Sequence, residues 1–296
     1  MSRPPILDVP ESARAYRLPT ARGEFAVLDA GEARRGTALL VPGFTGSKED
    51  FVALLDPLAR AGWRVVAVDG RGQFESGGPR EESAYAREEL VADLLAQAAA
   101  LDAGPVHLLG HSFGGLVARG AVLADAGPWT SLTLMSSGPA AIEEEQRRRT
   151  GMLVRALATM DLETVWRAMR ALDAEDPTAA AGGAEPAGMP EGLDAFLHRR
   201  WVANVPEQLI VTGRQLVAEP DRVAELAAVA LPKLVVSGAV DYAWPVPWLD
   251  AMAERLGARR EVIEGAEHSP NAERPEATAA VLDAFWGDVS PSATRQ

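Results

Sequence analysis

One serine of this chain, Ser112, has the neighbours that covalent acyl transfer requires. It lies in the sequence Gly-His-Ser-Phe-Gly, which has the G-x-S-x-G spacing. The apolar residues 106–109 before it predict a buried strand, and residues 116–123 after it have the spacing of a helix. A serine between a strand and a helix occupies a tight turn, and Gly110 and Gly114 leave room for that turn. The pattern therefore predicts a nucleophile.

A serine hydroxyl needs a base to take its proton, and the predicted base is His268. It lies in a Gly-Ala-Glu-His-Ser-Pro loop directly after the last predicted strand, so in a parallel sheet it shares the carboxyl edge with Ser112. His111 neighbours the serine, but adjacent side chains at a tight turn point apart, which favours packing or a place in the pocket wall. His107 within a strand and His198 in a later helical region are not placed to act as the base.

The imidazole needs an acid to fix its tautomer, and Asp241 is the predicted acid. It follows the predicted strand 234–237, which again ends at the carboxyl edge; the alternative is an aspartate in an ordinary loop turn. Asp69 ends an earlier strand and is the rival acid. Arg71 follows two residues later, which favours an Asp69 that ties down its own loop.

Acyl transfer also needs donors for the oxygen that becomes negative. The backbone N–H of Phe113, directly after the nucleophile, is predicted to be one donor. The second is predicted to be the N–H of Phe44, in a Pro-Gly-Phe-Thr-Gly loop after the strand 37–41. The alternative is that Gly43 and Gly46 only shape a turn between strand and helix.

Strands that alternate with helices must position these residues. Such alternation predicts an α/β protein with a mostly parallel sheet covered on both faces. The predicted strands are 25–28, 37–41, 65–68, 106–109, 132–135, 234–237 and 261–263, and helices are predicted at 49–61, 82–101 and 275–286.

The alternation stops between about 140 and 230, where helical patterns at 151–172 and 191–217 flank an Ala-, Gly- and Pro-rich stretch at 177–190, which we expect to be flexible. We predict that residues 140–230 form a helical cap inserted between two strands. The core then comprises residues 1–139 and 231–296. The large apolar residues of the cap either form its own small core or line a substrate pocket. The candidate substrate-binding residues are His111, Trp166, Trp201 and Trp244.

The composition limits the classes of function. The 296 residues suffice for one large core and an insertion, and the net charge of −13 argues against nucleic acid as a partner. With no cysteine, disulfides and thiol nucleophiles are excluded, and four histidines argue against a His-rich metal centre, so no metal is predicted. No stretch approaches the ~20 apolar residues of a membrane span, and the first residues lack the pattern of a signal peptide. We therefore expect a cytoplasmic protein with a small-molecule substrate and leave its oligomeric state open.

Together these residues resemble the α/β-hydrolase superfamily, whose chain order is that of Ser112, Asp241 and His268. The Gly-x-x-Asp-x-x-x-Pro sequence around Asp241 is similar to that family's acid loop, and Gly-x-x-His with Glu273 is similar to its histidine loop. The Asp-x-Arg-Gly sequence that begins at Asp69 is similar to another common loop. The resemblance implies the α/β-hydrolase fold with a cap and no metal or organic cofactor.

Two positions depart from the family pattern: Pro42 stands where it often has histidine, and Phe74 where it has glycine. The predicted function is a serine hydrolase for a small or medium carboxylic ester, lactone or thioester. A serine at 112 argues against epoxide hydrolase and haloalkane dehalogenase chemistry, which in this family resembles a scheme with aspartate at that position. The alternatives are a cofactor-free perhydrolase or acyltransferase with the same triad, and a non-catalytic ligand-binding member.

Overall fold

The computed structural model describes residues 2–175 and 190–290, and within them eight strands form one sheet. The strands are β1 (Ala13–Thr20), β2 (Gly23–Ala30), β3 (Gly36–Val41), β4 (Trp63–Val68), β5 (Val106–His111), β6 (Trp129–Met135), β7 (Lys233–Gly238) and β8 (Arg259–Ile263). Their spatial order is β1-β2-β4-β3-β5-β6-β7-β8. β2 pairs antiparallel with β1 and β4, whereas the other neighbouring pairs are parallel, which confirms the mostly parallel sheet.

The strand β1 was not predicted, because its side chains do not form an apolar run. Leu18 is its one buried residue. β1 lies at the edge of the sheet and pairs with β2 alone, so most of its side chains contact solvent. A strand that buries so little of its surface leaves almost no periodic signal in the sequence.

Helices cover both faces of the sheet. The helices of the described residues, including those of a later insertion, are α1 (Val52–Arg60), α2 (Arg87–Ala100), α3 (Phe113–Ala124), α4 (Glu144–Leu157), α5 (Leu162–Glu175), α6 (Leu193–Val202), α7 (Pro206–Ala218), α8 (Val223–Ala227), α9 (Val246–Leu256), α10 (Pro270–Glu273) and α11 (Pro275–Val289). The helix predicted at 82–101 is divided by Ala86, whose ψ of 151° is extended, into a 3-10 turn at Glu82–Tyr85 and α2.

Successive side chains of a strand point to opposite faces, and β4 shows this directly. Val66 and Val68 belong to a buried cluster with α2, α3 and α9. Val65 and Ala67 belong to a second cluster with α1 and α11. The sheet is therefore buried on both sides, as its continuous apolar strands predict.

Helices α4 to α8 lie between β6 and β7 in the chain, within residues 140–230, which we call the inserted segment. Each of the two predicted helical patterns contains two helices. The stretch predicted to be flexible, 177–190, lies outside the described residues except for its last residue. The division into core and cap stays a prediction.

The inserted segment has a small core of its own. Trp166, Phe196 and Trp201 are buried there together. By contrast, Met152 and Met160 are 56% and 50% exposed. Packing within the segment thus accounts for its three largest apolar side chains.

Candidate active site

Ser112 occupies the turn between β5 and α3 with a strained backbone. Its φ is +54° and its ψ is −122°, a conformation that costs a non-glycine residue about 1–3 kcal/mol. A Cβ at Gly110 would collide with the backbone of Gly114, and a Cβ at Gly114 would collide with the carbonyl oxygens of Val41 and Pro42. These collisions confirm the reason for both glycines of the motif.

Three side chains from the carboxyl ends of β5, β7 and β8 meet beside this turn. The Nε2 atom of His268 lies 3.0 Å from the Oγ of Ser112. The Nδ1 atom of His268 lies 3.0 Å from each carboxylate oxygen of Asp241. All three residues are buried, each with less than 9% of its surface exposed. The arrangement permits proton transfer from the serine hydroxyl to an imidazole whose other nitrogen is bound by a carboxylate.

Backbone donors fix the orientation of Asp241. The N–H groups of Ala243 and Trp244 both donate to its Oδ1, at 2.8 and 3.0 Å. The turn after β7 therefore restrains the carboxylate independently of its contact with His268.

Glu273 holds the loop that carries His268. Its carboxylate accepts hydrogen bonds from the N–H groups of Glu267 and, at 3.1 Å, Ser269, the residues on either side of His268. Gly238 allows this loop to approach β7, because a Cβ there would collide with the carbonyl oxygens of Ala266 and Glu267. The acid loop and the histidine loop thus pack directly on each other.

The segments that carry the two predicted oxyanion donors border Ser112. Phe113 is the first residue of α3, so its N–H has no acceptor within the helix. The loop of Phe44 passes over the nucleophile: a Cβ at Gly43 would lie 3.2 Å from the Cβ of Ser112 and 3.6 Å from its Oγ. Ser112 and Phe44 line the same cavity.

That cavity has a volume of about 140 Å³. His111, one of the four predicted substrate-binding residues, lines it, whereas Trp166, Trp201 and Trp244 do not. The Nε1 of Trp201 donates to the carbonyl of Leu162 at 2.7 Å inside the inserted segment, where Trp166 also packs. Trp244 is fully buried and binds the carbonyl of Ala140 at 2.8 Å. We therefore leave the three tryptophans out of the proposed pocket. The lining residues are Ser2, Gly43, Phe44, Thr45, Gly46, Asp50, His111, Ser112, Ile142, Gln146, Thr150, Leu216, Tyr242, Ala243 and His268.

Asp69, the rival acid, has different partners. Its Oδ2 lies 3.1 Å from the Nζ of Lys48, and its Oδ1 accepts the Lys48 N–H at 2.7 Å. Asp69 also accepts the N–H of Glu75, so it ties down its own loop. The cation that pairs with it is Lys48 and not Arg71, whose guanidinium binds Asp93 at 2.6 Å.

A buried ion pair at the cavity was not predicted from the sequence. The Nη1 of Arg200, on α6, lies 2.6 Å from the Oδ1 of Asp50, and both side chains are completely buried. The Nη2 of Arg200 also donates to the carbonyl of Ser2 at 2.7 Å. The pair joins the inserted segment to the loop after Phe44, but its members are 150 positions apart and no motif links them.

Two buried histidines of β5 stay neutral: His111 beside the site, and His107 near the other end of the strand, where it packs against Trp63 and Trp286. The Nε2 of His111 donates to the carbonyl oxygen of His268 at 2.8 Å. Burial lowers the pKa of His111 to about 4, and the nearby His268 ring acts in the same direction. Burial likewise lowers the pKa of His107, which binds Ser131, to about 4.

These two rings make the fold acid-sensitive. In the unfolded chain both gain protons near pH 6.5, whereas in the folded protein they do so near pH 4. The unfolded state therefore binds more protons between these values, and stability falls as the pH drops through that window. At pH 5 the loss is roughly 2 kcal/mol per ring. Urea unfolding at pH 7.5 and 5.0 measures this loss, and His107→Gln is expected to remove about half of the difference in unfolding free energy between the two pH values. A wild type and variant with the same pH dependence would contradict the assignment.

Within residues 2–175 and 190–290, no three His, Cys, Asp or Glu side chains are grouped so that they could hold a metal ion. In the same residues, none of the helices combines the length and the apolar character needed to cross a membrane.

Comparison with known proteins points to hydrolases. The model of the alpha/beta hydrolase family matches residues 38–281. The pimeloyl-[acyl-carrier protein] methyl ester esterase of Aeromonas hydrophila is 28% identical over 238 residues, which cover 78% of this chain and 88% of that protein. Epoxide hydrolase B of Mycobacterium tuberculosis is 33% identical over 109 residues, 36% of this chain and 31% of that protein. The crystal structure of a hydrolase from Pseudomonas aeruginosa aligns with a TM-score of 0.75 at 24% identity, over 93% of this chain and 98% of that one.

Proposed function

Because this chain belongs to the alpha/beta hydrolase family, we propose that it is a serine hydrolase that cleaves carboxylic esters. The observation that carries the proposal is the continuous hydrogen-bonded series from Ser112 through His268 to Asp241. Such a series serves acyl transfer, in which the serine oxygen becomes a covalent carrier of the acyl group.

In the proposed reaction, the Oγ of Ser112 attacks the ester carbonyl carbon while His268 Nε2 takes the hydroxyl proton. The N–H groups of Phe44 and Phe113 bind the oxyanion of the tetrahedral intermediate. When the intermediate collapses, the bond to the alcohol breaks and His268 returns its proton to the leaving oxygen. Water then attacks the acyl-enzyme by the same steps, which releases the acid and restores Ser112. Throughout, Asp241 stabilises the charged imidazole.

The names of the relatives include both an ester hydrolase and epoxide hydrolases. A serine at position 112 favours the ester, because epoxide opening in this family resembles a scheme with a nucleophilic aspartate there. The acyl group that serine accepts comes from an ester, a lactone or a thioester.

The size of the cavity supports a short substrate. Its volume of about 140 Å³ is similar to that of a cavity that accommodates benzene. Ile142 and Leu216 supply apolar surface, whereas Gln146 and Thr150, one turn apart on α4, present side chains with no hydrogen-bond partner among the described residues. The one charged lining residue, Asp50, is neutralised by Arg200. We therefore infer that the preferred substrates are short, uncharged esters with room for one polar group.

A p-nitrophenyl ester series tests the function and the size together. We expect the highest kcat/KM for acetate or butyrate and a loss of at least about tenfold for octanoate, because the cavity has no room to bury the additional methylene groups. Ile142→Ala is expected to move the preference to longer chains, and Ser112→Ala serves as the blank. A kcat/KM that rises steadily to octanoate would contradict the short pocket.

Product analysis identifies the acyl acceptor, because water, hydrogen peroxide and an alcohol would all attack the same acyl-enzyme. With p-nitrophenyl acetate as donor and either hydrogen peroxide or an alcohol added, free acetic acid as the main product supports hydrolysis. Peracid or a new ester as the main product would make the protein a perhydrolase or an acyltransferase. A folded protein that neither turns over esters nor is labelled at Ser112 by a fluorophosphonate would be a ligand-binding member of the family.

A further inference from the structure

We propose that Gln73 is a positioning residue of the oxyanion hole, which it serves by fixing the peptide that joins Gly43 to Phe44. This inference rests on the proposed ester hydrolysis. Gln73 is buried, and its Nε2 donates to the carbonyl oxygen of Gly43 at 2.8 Å and to that of Phe44 at 3.4 Å. Its Oε1 accepts the N–H of Gly70 at 2.9 Å.

The two ends of the amide of Gln73 have distinct partners. An amide oxygen only accepts hydrogen bonds and an amide NH₂ only donates them. One end faces the N–H of Gly70, and the other faces the carbonyl oxygens of Gly43 and Phe44. The opposite orientation would place oxygen against oxygen and N–H against N–H. The surroundings therefore fix the amide in one direction, with its donor toward the loop of Phe44.

Holding one carbonyl oxygen also aims the next N–H. In a planar trans peptide, the C=O of Gly43 and the N–H of Phe44 point in opposite directions. The Gly43 oxygen accepts hydrogen bonds from Gln73 and, at 3.2 Å, from the N–H of Gly46. Since Gly43 packs beside Ser112, rotation of this peptide would turn the Phe44 N–H away from the reacting oxygen. Glycine resists such rotation least, so this peptide needs an outside restraint.

The turn that carries Gln73 is itself held firmly. The residues on either side, Gly72 and Phe74, have positive φ values of 73° and 38°. The ring of Phe74 packs edge-on against Phe196, with 5.8 Å between the ring centroids. The Nζ of Lys48 lies 4.9 Å from the centroid of the Phe74 ring. Phe74, which replaces the glycine of the family pattern, thus packs on the inserted segment and does not line the cavity.

Gln73 also supplies the support that Pro42, the other departure from that pattern, does not provide. Pro42, which stands where the family often has histidine, has no side-chain donor to support the loop of Phe44. The donor comes instead from a residue 30 positions from Gly43. Gln73 lies two residues after Arg71 in the loop that the sequence singled out, so the motif marked the place but not the partner.

The test compares Gln73→Leu and Gln73→Met with a matched control, Gln97→Leu. Gln97 is equally buried and lines the same small cavity as Gln73, but its side chain makes no hydrogen bond to residues 43–44. With p-nitrophenyl acetate we expect kcat to fall about 10- to 100-fold in both Gln73 variants, because loss of one oxyanion donor costs up to about 10²–10³. KM is expected to change less than about threefold, and Gln97→Leu to behave as the wild type.

A second measurement tests whether Gln73 orients the N–H of Phe44 or has only a structural role. The rate at which a fluorophosphonate labels Ser112 depends on the same oxyanion donors and needs no turnover. It is expected to fall in parallel with kcat, while the pH at half-maximal rate stays unchanged because His268 is untouched. The methionine variant keeps nearly the shape of glutamine, so it remains informative if the leucine variant fails to fold.

The possible outcomes separate the two proposals. Wild-type values of kcat and labelling in the Gln73 variants, or equal losses in Gln97→Leu, would overturn the role of Gln73 and leave the esterase proposal standing. A wild type that is labelled but silent on esters would reject the esterase proposal, and the labelling rates would still decide on Gln73. A wild type that is neither labelled nor active would reject both.

Discussion

Replacing Ser112 by alanine is expected to lower the turnover of p-nitrophenyl acetate by about four orders of magnitude or more, with the fold intact. The Oγ of Ser112 is the only atom that the substitution removes. Without it no acyl-enzyme forms, and His268 at 3.0 Å has lost the proton donor that it faces. The oxyanion donors are backbone groups and remain, so a small residual rate above that in water is expected.

The strained turn supplies the control for this experiment. Alanine at a φ of +54° carries the same strain as serine, so Ser112→Ala is expected to unfold within a few degrees of the wild type. Glycine adopts positive φ without this cost, and Ser112→Gly is expected to be equally inactive and at least as stable. Thermal unfolding and steady-state rates of the three proteins measure both effects. Activity that survives in Ser112→Ala would reject the serine as nucleophile.

Most of the fold was predictable because a doubly covered parallel sheet has a strong sequence pattern. Strands such as β5 and β7 are buried on both faces, and their continuous apolar runs identify them. β1 lacks such a run because it buries only Leu18. The extended backbone of Ala86 divides a predicted helix, and this break was missed because it does not change the apolar pattern of the sequence. Periodicity thus detects an element in proportion to the surface that it buries.

The candidate site was predictable for a related reason. In a parallel sheet, residues that follow different strands gather at one edge. The G-x-S-x-G spacing indicated Ser112, and the places of Asp241 and His268 after predicted strands put them at the same edge, where the three side chains meet. The tryptophans show the limit of this reasoning. An apolar pattern on a helix says that Trp166 and Trp201 face something apolar, but not whether that is the segment's own core or a pocket.

Contacts between distant loops left no pattern at all. Arg200 on α6 meets Asp50, and Gln73 meets Gly43, only because the fold brings separate parts of the chain together. Gln73 and Gly43 each lie in a loop that the sequence indicated, but no motif links the members of either pair. Such pairs become visible only when the distances between loops are known.

Replacing Asp241 by asparagine is expected to lower kcat by about 10⁴, the effect typical of the acid in a Ser-His-Asp triad. The N–H groups of Ala243 and Trp244 both point at Oδ1, so the asparagine oxygen will remain there. The NH₂ group then takes the place of Oδ2, 3.0 Å from the Nδ1 of His268. Because NH₂ is a donor, it favours the tautomer with its proton on Nε2, and that nitrogen no longer accepts the proton of Ser112.

Asp69→Asn provides the comparison, because the same chemical change is made in the rival acid. Its partners are Lys48 and the N–H of Glu75, so we expect reduced stability and a loss of activity within about tenfold in the protein that remains folded. Steady-state rates corrected for the folded fraction measure both variants. If Asp69→Asn proved the more damaging to kcat, the carboxylate that orients His268 during turnover would not be Asp241. A conformational change would then have to bring Asp69 away from Lys48, and the hydrogen-bonded series at Ser112 would describe a resting state only.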